Sequence, residues 1–222
     1  MRFPRFHDRH DAGRQLGTRL REYGGRNDVL VLALPRGGVP VAYEVARALG
    51  VPLDVFLVRK LGFPGHEELA MGAIASGSVR VLNQDVVRML NVSAEVIDRV
   101  AQQEQRELLR REREYRDERP APDVRGKTVI LIDDGLATGA TMRAAAEALK
   151  QMGPSKLVIA VPVAAPQTCE EFSRDVADEV ICVATPEPFQ AVGMWYENFG
   201  QTSDEEVRQL LDKSMRHQHS AV

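Results

Sequence analysis

The sequence VILIDDGLATGAT, residues 129–141, decides the fold. It begins with four apolar residues, and a short continuous apolar run is typical of a strand that is covered on both faces, as in a parallel sheet. Two carboxylates, Asp133 and Asp134, follow at the carboxyl end of this strand. A turn of small and hydroxyl-bearing residues then leads into a helical pattern. Residues 129–141 therefore predict a strand–turn–helix unit.

The turn after the two aspartates has the features of a phosphate site. Ligands of open parallel sheets bind outside the carboxyl ends of the strands. Backbone N–H groups at a helix start have no partner within the helix, and the helix dipole favours an anion there. Asp133 and Asp134 can accept hydrogen bonds from the hydroxyls of a pentose. We therefore predict that a terminal phosphate binds the segment made of Ala137, Thr138, Gly139, Ala140 and Thr141.

Strands and helices alternate along most of the chain. Apolar runs predict further strands at 29–34, 53–58, 156–163 and 179–184, with helices between them and a last helix after the capping box that starts at Ser203. This order predicts an α/β fold: an open, mostly parallel sheet with helices on both faces. Residues 61–77 are rich in glycine and predict a loop, of which 72–76 could pair with a short strand at 79–82.

We interpret residues 1–222 as a single domain with two additions, a long inserted helix at 93–119 and a C-terminal hood and tail at 186–222. Acidic and arginine side chains alternate along the inserted helix, for example in the spacing of Glu107 and Arg111. Such patterns are typical of a solvated helix that pairs its own charges. The alternative is that one of its arginines reaches a phosphate in the site or in a partner subunit.

Composition excludes several classes of protein. The net charge of −3 gives no electrostatic footprint for nucleic acid. No apolar stretch approaches the roughly 18 residues of a membrane span, and residues 1–11 carry no apolar signal region. We therefore expect a cytoplasmic protein without nucleic-acid or membrane partners. Cys169 and Cys182 form no CxxC pair, and we interpret both as reduced core residues.

Residues 129–141 resemble the signature of the type I phosphoribosyltransferase family, in which four hydrophobic residues and two acids precede a loop of this composition. The chain resembles end to end a group of little-characterised bacterial phosphoribosyltransferase-like proteins. The segment Pro35-Arg36-Gly37-Gly38 resembles the short pyrophosphate loop of the family, which follows the first core strand. There the glycines let backbone amides face the diphosphate, and the cation of Arg36 can neutralise it.

Two further segments resemble specific members of the family. Residues 58–65 resemble the R-K-x-G-x-x-P-G stretch of adenine-type enzymes but are one residue shorter, and the resemblance implies that Arg59 and Lys60 contact pyrophosphate. Residues 189–199 are similar to the stretch that builds the base pocket of hypoxanthine–guanine enzymes, with Glu197 in place of an aspartate. Trp195 could stack on a flat base there; alternatively, these aromatic rings only pack the hood.

The resemblance implies a function. A phosphoribosyltransferase uses 5-phosphoribosyl-1-pyrophosphate (PRPP) and Mg²⁺ to transfer phosphoribose to a nitrogenous, here purine-like, base with release of pyrophosphate. Asp133 and Asp134 would be catalytic and bind the metal, and Arg59 and Lys60 would stabilise the leaving group. Relatives are usually homodimers. The alternatives are a non-enzymatic regulator that binds a phosphoribosyl compound or nucleotide, and phosphorolysis or hydrolysis at the same site.

Overall fold

The computed structural model describes residues 5–116 and 119–219. Its strands are β1 Val29–Ala33, β2 Leu53–Val55, β3 Val58–Phe63, β4 His66–Ala75, β5 Val79–Leu82, β6 Thr128–Ile132, β7 Lys156–Val163 and β8 Glu179–Ala184. The helices are α1 Arg9–Arg19, α2 Gly38–Leu49, α3 Gln84–Met89, α4 Ala94–Arg116, α5 Ala140–Gln151, α6 Pro166–Asp175 and α7 Asp204–His219. The alternation of strands and helices agrees with the predicted order.

The main sheet has five parallel strands in the order β2-β1-β6-β7-β8. Every residue of β6 is buried, and its side chains alternate between two cores: Ile130 and Ile132 face one, Val129 and Leu131 the other. Because both faces are covered, the strand needs apolar residues at every position. This is why residues 129–132 form a continuous apolar run.

Helices cover both faces of the sheet. The core on one face takes side chains from α1, α2, α4 and α7, for example Leu16 and Leu211. The core on the other face takes side chains from α5 and α6, for example Leu149 and Phe172. The predicted open parallel α/β fold with helices on both faces is therefore confirmed.

A second, antiparallel sheet, β3-β4-β5, packs against α4 and α5, apart from the predicted C-terminal hood at 186–222. The loop predicted for residues 61–77 was wrong, because most of this segment belongs to β3 and β4. Its glycines serve the sheet: Gly65 lies at the β3–β4 turn with φ of +82°, and a Cβ on Gly72 would lie 2.1 Å from the carbonyl oxygen of Val81. The pairing predicted between residues 72–76 and 79–82 is present in β4 and β5.

The inserted helix predicted at 93–119 is α4, Ala94–Arg116; residues 117 and 118 lie outside the described part of the chain. Its predicted pair Glu107–Arg111 forms, with an N–O distance of 3.0 Å, and Glu112 and Arg116 pair at the same spacing, 2.9 Å apart. Arg116 is buried and also donates to Oδ1 of Asp54 in β2 at 2.8 Å. The helix is thus more than a solvated surface element, since its last turn is fixed to the edge of the main sheet.

The cysteine prediction was wrong. The sulfur atoms of Cys169 on α6 and Cys182 on β8 are bonded, with Cα atoms 6.9 Å apart. The residues meet because α6 packs against β8, a tertiary contact that their spacing in sequence does not reveal. Among the described residues, no helix is both long and apolar enough to cross a membrane.

Candidate functional site

The candidate site lies at the carboxyl edge of the main sheet. β1 and β6 are neighbours, so the residues that follow them, Pro35–Gly38 and Asp133–Asp134, come together. The two glycines touch the aspartates closely: a Cβ on Gly37 would lie 2.1 Å from Asp134 Oδ2, and one on Gly38 would lie 3.3 Å from Asp133 Oδ1. The Pro35–Arg36 peptide bond is cis. The predicted pyrophosphate loop and the predicted pentose-binding acids therefore form one surface.

The predicted phosphate turn lies at the start of α5 and at the surface. Thr138, Ala140 and Thr141 are exposed rather than packed in the core. Gly139 has φ of +74°, and a Cβ there would lie 2.6 Å from the ring of Phe172. A hydrogen bond connects the turn to α6, because Thr168 Oγ1 donates to the carbonyl oxygen of Ala137 at 2.7 Å.

The surroundings of Asp133 and Asp134 exert opposing influences on the pKa values of their carboxyl groups. The backbone N–H of Asp134 donates to Asp133 Oδ1 at 2.8 Å. Burial, and secondarily the charge of Asp134, raise the pKa of Asp133 well above its ordinary value. Burial also raises the pKa of Asp134, although the guanidinium of Arg9 opposes this shift. The site thus holds two neighbouring carboxylates for which ionisation is costly, and a cation there would reduce that cost.

Arg9 is a site residue that sequence reasoning missed. Its Nε donates to Asp134 Oδ2 at 2.8 Å and its Nη1 to the carbonyl oxygen of Gly200 at 2.6 Å. Its guanidinium also stacks on the ring of Phe199, 3.9 Å from the centroid. Arg9 joins the start of α1, the acidic pair and the C-terminal segment, which are far apart in sequence, and no local motif marks it.

The C-terminal segment, residues 192–200, covers the site from the other side. Tyr196 Oη donates to the carbonyl oxygen of Asp134 at 2.6 Å. A Cβ on Gly135 would lie 2.4 Å from the side chain of Val192, which explains why a larger residue is absent at position 135. Glu197 pairs with His7 Nδ1 at 2.9 Å, so its carboxylate is directed to the N-terminal segment rather than to the aspartates.

Trp195 has the packing role that was one of its two predicted possibilities. Its ring packs with Phe6 and Val163 in a small hydrophobic cluster, as a structural aromatic residue would. Its indole Nε1 is buried and has no hydrogen-bond partner within the described part of the chain. The contact of this ring with a base stays a prediction.

The two arginines predicted to bind pyrophosphate contact acidic side chains instead. Arg36 Nη1 lies 3.5 Å from Asp204 Oδ2, at the start of α7. Arg59 forms an ion pair with Glu104, and its Nη1 lies 4.0 Å from Glu107 Oε1, both on α4. Arg36 borders the Asp133–Asp134 surface, whereas Arg59 is turned toward α4. The contact of Arg59 with pyrophosphate stays a prediction.

Lys60 lies on the opposite face of β3 from Arg59. It lines a cleft of about 600 Å³ between the small sheet and α5, together with Ala140 and Thr141 of the phosphate turn. The rest of the lining comes from β3, β4, β5, the start of α3 and the first turns of α5. Lys60 therefore borders the turn predicted to bind the terminal phosphate, and its predicted contact with pyrophosphate stays a prediction.

Comparison with known proteins identifies the family. A family model described as the phosphoribosyl transferase domain matches residues 7–196 of this chain. The chain belongs to the phosphoribosyltransferase family. The match spans the N-terminal helix, the Arg36–Gly38 loop and the acidic pair, and it ends at Tyr196, within the C-terminal segment of the candidate site.

Individual members of the family support this assignment. Proteins named phosphoribosyl transferases, with no substrate in the name, from two strains of Mycobacterium tuberculosis are 49% identical over 211 residues, 95% of this chain. This chain spans only 47% of their length. A crystal structure of a Thermus thermophilus protein is 42% identical and superimposes with a TM-score of 0.83, over 94% of this chain and 98% of that one. A ribose-phosphate pyrophosphokinase from Marinomonas is 40% identical over 65 residues, 28% of this chain.

Proposed function

We propose that this phosphoribosyltransferase binds PRPP at the carboxyl edge of the main sheet and transfers its phosphoribosyl group to a nitrogenous, purine-like base. The observation that carries the proposal is the contact of Gly37 and Gly38 with Asp133 and Asp134, beside the start of α5. A diphosphate, a pentose and a 5′-phosphate would then lie on the loop, the acids and the turn in that order. The resemblance of a short segment to a ribose-phosphate pyrophosphokinase supports the same ligand.

The residues have separate roles in this reaction. The bond between C1′ and the pyrophosphate oxygen breaks, the bond from C1′ to the base nitrogen forms, and the base loses a proton to solvent. Asp133 and Asp134 accept hydrogen bonds from the ribose hydroxyls and stabilise positive charge that develops on the ribose. Arg36 stabilises the departing pyrophosphate, joined by Arg59 once it leaves Glu104 and by Lys60 once its side chain extends from the 5′-phosphate turn toward the diphosphate. Trp195 provides a ring for the base.

Mg²⁺ fits the acidic pair as a substrate-borne ion. No cluster of three or more His, Cys, Asp or Glu suited to a metal occurs among the residues that the structure describes. Mg²⁺ commonly binds one or two carboxylates together with substrate phosphates and water, and Asp133 and Asp134 offer two carboxylates with raised pKa. When bound, the ion would neutralise the diphosphate and the carboxylates that face it.

The test is turnover. Pyrophosphate release is measured with PRPP, Mg²⁺ and a panel of purine and pyrimidine bases, with hydrolysis of PRPP alone as the blank. The proposal predicts release above the blank with at least one purine-like base. Release that no base accelerates would contradict transfer to a base, and equal release without any base would favour hydrolysis.

A non-enzymatic regulator is the second candidate. The specific observation in its favour is that Arg36 is paired with a carboxylate of α7 and Arg59 with a carboxylate of α4. Binding of a ligand to these arginines would have to change the contacts of both helices. Tight binding of PRPP without turnover would favour this function. A homodimer and a cytoplasmic location stay predictions, which light scattering and cell fractionation would test.

A further inference from the structure

Both arginines of the predicted pyrophosphate site are held by helices that contribute no part of the phosphoribosyl motif. Arg36 contacts Asp204 of α7, and Arg59 contacts Glu104 of α4. The two arginines come from different sheets, one after β1 and one on β3. In both places an arginine predicted to bind pyrophosphate is paired with a carboxylate of a helix. This repetition indicates that Asp204 and Glu104 take part in ligand binding.

The contact of Arg36 is loose enough for a ligand to replace it. Its Nη1 lies 3.5 Å from Asp204 Oδ2, beyond a good hydrogen bond, and the side chains are 37% and 41% exposed. Exposed ion pairs of this kind contribute little stability because solvent and salt screen them. A diphosphate offers the guanidinium several charged oxygens and bidentate hydrogen bonds, which are stronger. Asp204 and a diphosphate therefore compete for one cation.

Asp204 is connected to α4 as well as to the loop. Its Oδ1 accepts a hydrogen bond from the hydroxyl of Tyr115 in the last turn of α4, while Oδ2 faces Arg36. Tyr115 is buried, and burial followed by the hydrogen bond to Asp204 raises its pKa, so the hydroxyl keeps its proton. A single carboxylate thus links the pyrophosphate loop, the start of α7 and the end of α4.

Arg59 is also paired with a helix carboxylate, and its ion pair is less exposed than that of Arg36. Its side chain is 27% exposed and that of Glu104 is 20% exposed, so their attraction is screened less than that of the Arg36 pair. Glu107 of the same helix lies 4.0 Å from Arg59 Nη1. For Arg59 to bind a diphosphate, it has to leave α4.

We propose that Asp204 and Glu104 are internal counter-ions which hold Arg36 and Arg59 until pyrophosphate or the diphosphate of PRPP displaces them, so that ligand binding loosens α4 and the start of α7. The inference rests on the proposed function, because it assumes that a diphosphate binds the loop of residues 35–38. It assigns to α4 a role in sensing whether the site is occupied. A ligand shifts such an equilibrium only by its different affinity for the two states, and the competing carboxylates provide that difference.

The first test compares two neutralised carboxylates on α7. Asp204→Asn keeps an oxygen that can accept from Tyr115 but removes the charge that faces Arg36. Glu205→Gln is the matched control, because it makes the same change one residue later, where the side chain contacts Arg208 and Gln209. Calorimetric titration with inorganic pyrophosphate and Mg²⁺ should show about 2–5-fold tighter binding for Asp204→Asn, as the strength of exposed ion pairs implies. Glu205→Gln should bind like the wild type.

Salt and amide exchange separate the counter-ion role from a structural one. The advantage of Asp204→Asn should shrink at high salt, since screening weakens the competing pair. Magnesium pyrophosphate should also increase amide hydrogen exchange in the second half of α4 in the wild type, and less so in Tyr115→Phe, where the link to Asp204 is already lost. A structural contact, when removed, would not improve binding.

Each outcome has a defined meaning. If the affinity of Asp204→Asn for pyrophosphate is equal to or lower than that of Glu205→Gln, the inference is overturned. The proposed function still stands in that case. Unchanged exchange in α4 on binding overturns it as well. Wild-type protein that binds neither pyrophosphate nor PRPP overturns the proposed function and the inference together.

Discussion

The acidic pair is the residue-level centre of the account. Asp133 and Asp134 were identified from their place after an apolar strand, and the structure brings the Gly37–Gly38 loop into direct contact with them. Sequence reasoning found these residues because each lies in a local motif. It missed Arg9 because its partner, Asp134, lies 125 positions away in the sequence. It missed Asp204 because its partners, Tyr115 and Arg36, lie on a different helix and in a loop. No periodicity or spacing encodes such contacts.

Neutralising Asp133 should stabilise the fold while harming the site. Burial and the charge of Asp134 raise the pKa of Asp133, so its ionised form destabilises the folded state at pH above that raised pKa. Asp133→Asn keeps an oxygen for the N–H of Asp134 and removes this cost. A gain of about 1 kcal/mol would raise Tm by roughly 2–4 °C for a chain of this size.

The pH dependence of that gain has a fixed sign. The wild-type carboxyl takes up a proton in the folded state as the pH falls through its raised pKa, so the advantage of Asp133→Asn should shrink below that pH and disappear once the pH reaches the ordinary pKa of an aspartate. Thermal unfolding of both proteins across the acid range, without Mg²⁺, measures it. A variant that is less stable than the wild type at neutral pH would contradict a raised pKa of Asp133 in the folded protein.

At the scale of elements, apolar runs predicted the strands of the main sheet, including the bounds of β7 and of the partly buried edge strand β8. The run at 53–58 was too long, because β2 ends at Val55 and Val58 begins β3 of the second sheet. The apolar pattern also failed at β3 and β4, where glycines such as Gly72 permit close strand approach and look like loop residues in sequence. The charge pattern of α4 correctly indicated internal pairs. It did not reveal that Arg116 anchors the helix, because burial of an arginine depends on acceptors supplied by β2 and its neighbours.

The anchor of α4 should be costly to remove. Arg116 is 2% exposed and donates to Asp54, Glu112 and the carbonyl oxygen of Val55. Arg116→Ala leaves these acceptors without their cation, and breaking a buried pair from one side costs about 3–5 kcal/mol. Arg110→Ala, on the exposed face of the same helix, should cost less than about 1 kcal/mol. Urea unfolding measures both, and similar losses for the two variants would contradict the anchoring role.

At the scale of the whole molecule, residues from α1, the β1 loop, the β6 loop, α5 and the C-terminal segment meet at one edge of the sheet. The family match over residues 7–196 covers this assembly as far as Tyr196, and the chain spans 47% of the length of its Mycobacterium tuberculosis relatives. The fold and the central motif could be predicted from sequence because they depend on local patterns. The surrounding ion pairs could not, since they arise only when distant helices dock on the sheet.

Binding of PRPP to the acidic pair is the claim on which the account depends, and calorimetric titration measures it directly. With Mg²⁺ present, the wild type and the exposed-residue control Asp212→Asn should bind PRPP with the same affinity. The double variant Asp133→Asn/Asp134→Asn should remain folded and lose at least about 10-fold in affinity, because each lost charge-assisted hydrogen bond contributes roughly 1.5–3 kcal/mol. A folded double variant that binds PRPP as tightly as the wild type would contradict the account.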